Sequence, residues 1–189
     1  MWGRAYDAAL APVERLCLSA ARRRLLASAT GRTLELGLGT GLNLPHYPPS
    51  AWLAAVEPDA SMSARARARR PGLRLVRAAA EALPLKASCF DTVVATLVLC
   101  SVKQPAEVAA EAFRVLRPGG RFLLLEHVRP PGRLLSPLFA AAAPAWAVVA
   151  GGCRLDRDPW PALAAAGFAV ETVETGLRGI VKVWTLRKP

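Results

Sequence analysis

The residues best suited to chemistry in this sequence are three glycines at alternate positions, preceded by an acid: Glu35-Leu36-Gly37-Leu38-Gly39-Thr40-Gly41. Glycine has no Cβ and adopts positive φ at little cost, so such a loop lets a ligand lie against the backbone. Residues 33–36 are apolar enough for a short buried strand, and a helix starting near Asn43 would aim its free N–H groups at that ligand. The spacing differs from the G-x-G-x-x-G dinucleotide fingerprint, whose third glycine comes one residue later. A second carboxylate, Glu57, closes the next apolar run, residues 52–57. In α/β nucleotide sites an acid there, about 20 residues on, binds ribose hydroxyls. Strand, loop and acid together predict a nucleoside site.

Other reactive side chains gather at the predicted strand ends. His127, preceded by Glu126, ends the fifth apolar run. An unperturbed pKa near 6.5 suits the histidine to general-base work at neutral pH, or it merely hydrogen-bonds and closes a pocket. Thr96 and Leu97 end the fourth run, with Cys100 just beyond. His46 and Tyr47 follow the glycine loop, where Pro45, Pro48 and Pro49 keep any helix short; that stretch either lines an acceptor pocket or is a surface turn. Cys100 and Cys153 are candidate reactive thiols, although buried cysteine is usually inert filling. Asp156 and Asp158 suit the cap of a helix starting at Pro159.

The elements that must position these groups alternate between strand and helix. Apolar runs predict strands at residues 33–36, 52–57, 73–77, 90–96 and 121–126, then an antiparallel pair at 168–173 and 180–186. Helical spacing falls at residues 60–70, 104–116 and 159–166, with Pro71-Gly72 and Pro118-Gly119-Gly120 as stops after the first two. This order predicts an α/β fold: a doubly wound, mostly parallel, seven-stranded sheet with an antiparallel C-terminal strand pair. All 189 residues fit one domain, with neither repeat nor linker.

Composition narrows the class. With 53% hydrophobic and 21% charged residues the chain is globular, not disordered. The net charge of +11, mostly arginine, reflects either a compositional bias towards Ala, Arg and Pro or attraction to anionic surfaces. Nucleic acid is disfavoured: the sequence holds no zinc pattern and no interleaving of aromatic with basic residues. The four cysteines, Cys17, Cys89, Cys100 and Cys153, have no C-x-x-C spacing. They predict no metal site and no disulfide framework, and fit reduced thiols in the cytoplasm.

The motif Glu35-Leu36-Gly37-Leu38-Gly39-Thr40-Gly41 resembles motif I of the class I S-adenosylmethionine-dependent methyltransferases. Val56-Glu57-Pro58-Asp59-Ala60-Ser61-Met62 is similar to their second motif, and Leu116-Arg117-Pro118-Gly119-Gly120 to the turn before their fifth strand. The resemblance implies S-adenosyl-L-methionine as cofactor and S-adenosyl-L-homocysteine as product. Glu35 would hold the amino-acid end and Glu57 the ribose, with Gly37, Gly39, Thr40, Gly41, Asn43, Pro58 and Met62 around them. Where relatives carry Gly-Asp-Ala-Glu after the third strand, Ala79 replaces the aspartate, so backbone at Ala80, Glu81 and Ala82 would take over adenine binding, beside Thr96 and Leu97. Glu126 would orient His127 or attract the sulfonium.

A narrower resemblance rests on Thr96 to Val102, Glu126-His127-Val128, Pro144-Ala145-Trp146 and Gly152-Cys153-Arg154-Leu155. These phrases look like the membrane-associated alkyl thiol methyltransferases and their short bacterial relatives, implying a small hydrophobic acceptor such as an alkyl thiol. His46, Tyr47, Cys100, Trp146 and Cys153 would line its pocket. The alternatives are a lipid or isoprenoid-quinone acceptor, or a non-catalytic nucleoside-binding protein.

Two segments bear on membrane contact. Residues 1–29 hold charges that interrupt every apolar run, so they are neither a signal peptide nor the hydrophobic anchor of the animal members. Leu10, Val13, Leu16, Cys17 and Ala20 recur at helical spacing and predict an amphipathic lid helix that packs on the sheet, caps the cofactor pocket or lies on an anionic membrane, with Tyr6 reaching over the cofactor. Residues 134–152 carry no charge. Pro137, Pro144, Gly151 and Gly152 argue against a span, and the stretch reads as a core helix plus acceptor-pocket lid within residues 129–158, or as a shallow interfacial dip with Trp146 at headgroup level. The expected location is therefore cytoplasmic, with peripheral contact to anionic membrane as an option.

Overall fold

The computed structural model describes residues 11–12 and 14–189; the expectations placed on Tyr6, Leu10 and Val13 lie outside them. Seven strands form one sheet: β1 (Arg32–Leu36), β2 (Trp52–Val56), β3 (Arg74–Val76), β4 (Phe90–Thr96), β5 (Leu116–His127), β6 (Ala169–Gly176) and β7 (Val181–Arg187). Their order is β3-β2-β1-β4-β5-β7-β6. Strands β1 to β5 are parallel, and β7 runs antiparallel to both β5 and β6. The strand order reverses at β1, between β2 and β4, and ligands of doubly wound sheets bind in the crevice at that point.

Period-two alternation sends side chains to two cores. Leu34, Leu36, Val93, Ala95, Phe122 and Leu124 face α3 (Pro105–Val115) and α5 (Trp160–Ala165). Leu53, Ala55, Val94, Leu123 and Leu125 face α1 (Ser19–Ala27) and α2 (Ala60–Arg69). The fifth strand starts earlier than its apolar run suggests. Leu116 already pairs with Phe90, and the ladder resumes at Arg121 opposite Thr92 after an irregularity that takes in Pro118-Gly119-Gly120.

Three local expectations are corrected. No helix follows the glycine loop; Pro45, Pro48 and Pro49 leave only a 3-10 turn, Leu44–His46. The apolar stripe assigned to the N-terminal helix is the wrong face: Leu16 and Cys17 are exposed, while Leu18, Arg22, Leu25 and Leu26 are buried. A π-helical stretch, Glu14–Leu18, precedes α1 and shifts the phase on which the spacing was read. Residues 134–152 are no core element either. Their helix, α4 (Leu135–Val149), exposes Leu138 and Val148, and Ala143 is its buried residue among the described side chains.

Candidate active site

The loop after β1 forms the floor of the crevice. Gly37 and Gly39 both take φ of +59°, a conformation that side chains resist. A Cβ on Gly37 would lie 2.8 Å from Val98 Cγ2, whereas one on Gly39 would meet no heavy atom nearer than 4.0 Å and would enter the open crevice. Two cavities meet over this floor and share Gly37, Gly39, Thr96 and Leu97. The larger, of about 680 Å³, runs towards β2 and α3, and the narrower one runs beneath α1.

Glu57 governs the larger cavity. Its Oε2 accepts from Gly39 N at 2.8 Å and its Oε1 from Asp59 N at 2.9 Å, so one carboxylate ties the tip of β2 to the glycine loop. Burial raises its pKa while those two N–H groups hold it back. Asp59 caps α2 by accepting from Met62 N at 2.8 Å, which sets Pro58 and Met62 along the wall. Ala80 and Glu81 line the opposite side; Ala82 turns back to donate its N–H to Ala79 O at 3.3 Å and does not line the cavity.

The narrower cavity is organised by Arg22, which the sequence reading missed. Arg22 is 3% exposed, and its guanidinium pairs with Glu14 through two 2.7 Å hydrogen bonds. It also donates to Thr96 Oγ1 at 3.0 Å and to Asn43 Oδ1. Asn43 Nδ2 in turn donates to Thr96 Oγ1 at 3.0 Å and to Glu35 Oε1 at 2.6 Å, and Tyr47 Oη donates to Glu35 Oε2 at 2.9 Å. Glu35 is therefore a back-wall residue that acts through Asn43, not a lining carboxylate. Burial pushes its pKa up to about 7 against the pull of Tyr47, Asn43 and Arg22. Tyr47 is correspondingly removed from the acceptor pocket: it is buried, and its outer edge lines a separate groove beside Arg69. His46 lines neither cavity, and burial and the neighbouring Arg22 lower its pKa. Thr40 lines the narrow cavity, and its carbonyl accepts from Arg69 at 3.0 Å. Gly41 is buried against Leu44.

The tip of β4 turns sharply at Leu97, whose φ of +59° is strained for leucine. Glu126 holds that turn. Its carboxylate accepts from Val98 N at 2.8 Å, Leu99 N at 2.9 Å and Cys100 N at 3.2 Å, and burial pushes its pKa up to about 7. The expectation that Glu126 orients His127 is corrected: neighbours on a strand point to opposite faces, and this carboxylate is committed to three backbone donors. Glu126 is a positioning residue for the crevice wall.

His127 stacks on Phe139 with centroids 6.1 Å apart, outside the lining of both cavities. Its Nδ1 has no hydrogen-bond partner, and burial lowers its pKa, which keeps the ring neutral at pH 7. The other predicted acceptor residues do come together. The Cys100 thiol lies 3.5 Å from Ser101 Oγ, and the Cys153 and Trp146 side chains are near enough for Cys153 to act on the titration of Cys100, and Cys100 and Trp146 on that of Cys153. That proximity holds Cys100 protonated and lowers the pKa of Cys153. Arg154 N donates to Cys100 O at 2.8 Å, so the end of α4 is tied to the β4 turn and Gly151 reaches the larger cavity. Ser101, Val102, Lys103, Gln104 and Glu107 complete that wall. They were missed because nothing in a turn-and-helix-start sequence distinguishes a lining residue from a solvated one. Arg22 did leave a signal: it occupies an apolar position in the i, i+4, i+7, i+8 pattern of Leu18, Arg22, Leu25 and Leu26.

Residues 34–124 match the family model for a methyltransferase domain. Over these residues the chain carries a methyltransferase domain of the S-adenosylmethionine-dependent kind. The human thiol S-methyltransferase TMT1A is 38% identical over 144 residues, covering 72% of this chain and 59% of that protein. Human thiol S-methyltransferase TMT1B is 37% identical over 154 residues, covering 76% of this chain and 63% of that protein. The chain thus spans about three fifths of the length of these curated relatives. An S-adenosylmethionine-dependent methyltransferase from Mesorhizobium loti shares the fold with a TM-score of 0.67 at 22% identity, over 89% of this chain and 96% of that one.

The residues present fit this cofactor. Gly39 leaves open the space a side chain would fill, the Glu57 carboxylate is an acceptor suited to a diol, and the Arg22 guanidinium stands at the far end of the same floor. Among the described residues no group of three metal-ligating side chains assembles. No helix of the described chain is long and apolar enough to cross a membrane.

Proposed function

We propose that this methyltransferase transfers a methyl group to a small hydrophobic thiol. The observation that carries the reading is the pair of cavities over one glycine floor, with the Glu57 carboxylate in one and the Arg22 guanidinium in the other. That polarity matches a nucleoside bearing an amino acid: the Glu57 carboxylate accepts from the ribose hydroxyls, and Arg22 pairs with the amino-acid carboxylate. Asn43 and Thr96 steady the guanidinium, and Glu35 steadies Asn43.

Bound S-adenosyl-L-methionine supplies a sulfonium methyl group already activated for transfer. The chain then has three tasks: to hold an acceptor in line, to exclude water and to let a proton leave. Val98, Val102 and Gly151 give the larger cavity an apolar side suited to an alkyl chain. A thiol of pKa about 8.5 is already a few per cent thiolate at pH 7. Its proton passes to water, the sulfur takes the methyl, and S-adenosyl-L-homocysteine remains. Orientation and desolvation supply several powers of ten without a dedicated base. The identity of 36–38% to curated thiol S-methyltransferases supports sulfur as the acceptor atom.

The test is cofactor binding by calorimetry, followed by S-adenosyl-L-homocysteine release with alkanethiols, quinols and phosphatidylethanolamine. Turnover on thiols, and a cofactor Kd raised about tenfold or more in Glu57→Ala, are expected. Turnover on a lipid or quinol alone would replace the acceptor. Binding without release on any acceptor would make this a nucleoside-binding protein.

A further inference from the structure

We propose that α4 is a membrane-docking helix, which lays an exposed apolar arc into the headgroup boundary of an anionic bilayer. The arc is visible once the residues are placed at 100° intervals. Pro144, Pro137, Val148, Ala141, Ala145, Leu138, Ala142, Leu135 and Trp146 follow one another around the axis, and all are exposed. They span about 200°. The opposite side, through Phe139, Ala143, Ser136 and Ala147, is covered or half-covered. A surface helix of a soluble protein has the reverse arrangement, with polar residues outward. Here the hydroxyl of Ser136 sits on the half-covered side, and the outward face has no polar side chain. Leu134, 87% exposed, extends the apolar surface by one residue, and Leu138 and Val148 are 62% and 79% exposed.

Charge selects the occupant. Between Glu126 and Asp156 the sequence has no acidic residue, while Arg129 and Arg133 flank the helix start, both exposed, and Arg154, ion-paired with Asp156, follows its end. The chain as a whole carries +11. A second copy of this chain is a poor partner for the arc, because a parallel pairing of α4 with α4 sets Arg129 and Arg133 of the two copies side by side, and an antiparallel one offers them only Asp156, which Arg154 already occupies. An anionic lipid surface accepts both features: apolar side chains enter the acyl boundary, arginines meet phosphates, and Trp146 lies at headgroup depth. With 15 residues the helix is about 22 Å long, too short to cross the hydrocarbon core, so it lies along the surface. Because Arg154 N ties the chain after α4 to Cys100 O and Gly151 lines the larger cavity, docking would set that cavity's rim beside the acyl region.

The inference stands apart from acceptor chemistry and is tested without turnover. The full chain is floated with phosphatidylcholine vesicles, alone or with about one third phosphatidylglycerol, at two salt concentrations, beside Leu138→Asp/Val148→Asp and Arg129→Ala/Arg133→Ala variants. Circular dichroism and melting confirm that each variant is folded, since these side chains are exposed. Co-flotation of the parent with anionic vesicles is expected, weaker in high salt, with at least a tenfold loss of partitioning in the aspartate variant and a severalfold loss in the alanine variant. Three results would overturn the proposal: no flotation of the parent, equal flotation of the aspartate variant, or an α4-dependent dimer in sedimentation that leaves vesicles unbound.

Discussion

Arg22 on α1 donates through Nη1 to Thr96 Oγ1 at the tip of β4, 3.0 Å away and 74 residues distant in the chain. This bond joins the N-terminal helix to the strand end that both cavities share. Without it the guanidinium would be a surface charge on a basic helix; with it, Arg22 is the cation of the narrow cavity. Glu14, bonded to the same guanidinium by both oxygens, occupies the place where an incoming carboxylate would pair.

Arg22→Ala should therefore raise the cofactor Kd by about ten- to a hundredfold. It should also lower stability by about 1–3 kcal/mol, because Glu14 and Asn43 lose a partner. Arg22→Lys keeps the charge but loses the bidentate geometry, and its affinity should lie between the two. Calorimetry with S-adenosyl-L-homocysteine, read beside melting curves, separates the terms. An unchanged Kd in a destabilised Arg22→Ala protein would reduce Arg22 to a packing role.

Gly37 and Gly39 share a φ of +59° but differ in what a methyl would meet. Gly37→Ala drives a Cβ to 2.8 Å from Val98, so its main effect should be on stability, by about 2 kcal/mol or more. Gly39→Ala carries only the backbone strain of about 1 kcal/mol, but its methyl enters the crevice. The cofactor Kd should rise at least tenfold there with a small change in Tm. Equal effects of the two substitutions on Tm, with no change in Kd, would mean that the floor is not a ligand surface.

His127→Ala should lower kcat/KM by less than about tenfold, the low end of general-base effects. The ring lies outside both cavities, its Nδ1 has no partner, and Glu126 does not touch it. Loss of transfer to every acceptor at unchanged cofactor Kd would show instead that a proton must pass through this ring.

Glu126 predicts a pH dependence of stability. Its folded pKa of about 7 lies above the ordinary 4.5, so the native state binds the proton more tightly than the unfolded chain does. The favourable contribution is greatest below about pH 4.5, falls as pH rises to 7 and is absent above it. Glu35, also near 7, has the same sign. The two glutamates together contribute about 2–3 kcal/mol more at pH 6 than at pH 8, which exceeds the opposite contribution of His46 and His127 with their lowered pKa values, so the protein should melt at higher temperature at pH 6. Glu126→Gln, which keeps an oxygen for Val98 and Leu99, should flatten part of this slope. A steeper slope in the variant would contradict the assignment.

The sequence alone determined the sheet. Apolar runs of strand length, alternating with helical spacing, located seven strands and three helices to within a few residues at most of their ends, because period-two and 3.6-residue patterns are local signals. It also gave Glu57, whose place after β2 follows from chain order. The tertiary structure decided what spacing left open. It turned the buried face of the N-terminal helix to Arg22 through a π-helical shift, and replaced a helix after the glycine loop with one prolyl turn. It also gave Glu35, Tyr47 and Glu126 buried hydrogen-bond partners within the protein and left all three outside the lining of the two cavities. Only the exposure of α4 showed that an uncharged helical stretch faced outward and not into the core. Apolar periodicity states which side chains avoid water; it does not state which neighbour arrives to cover them.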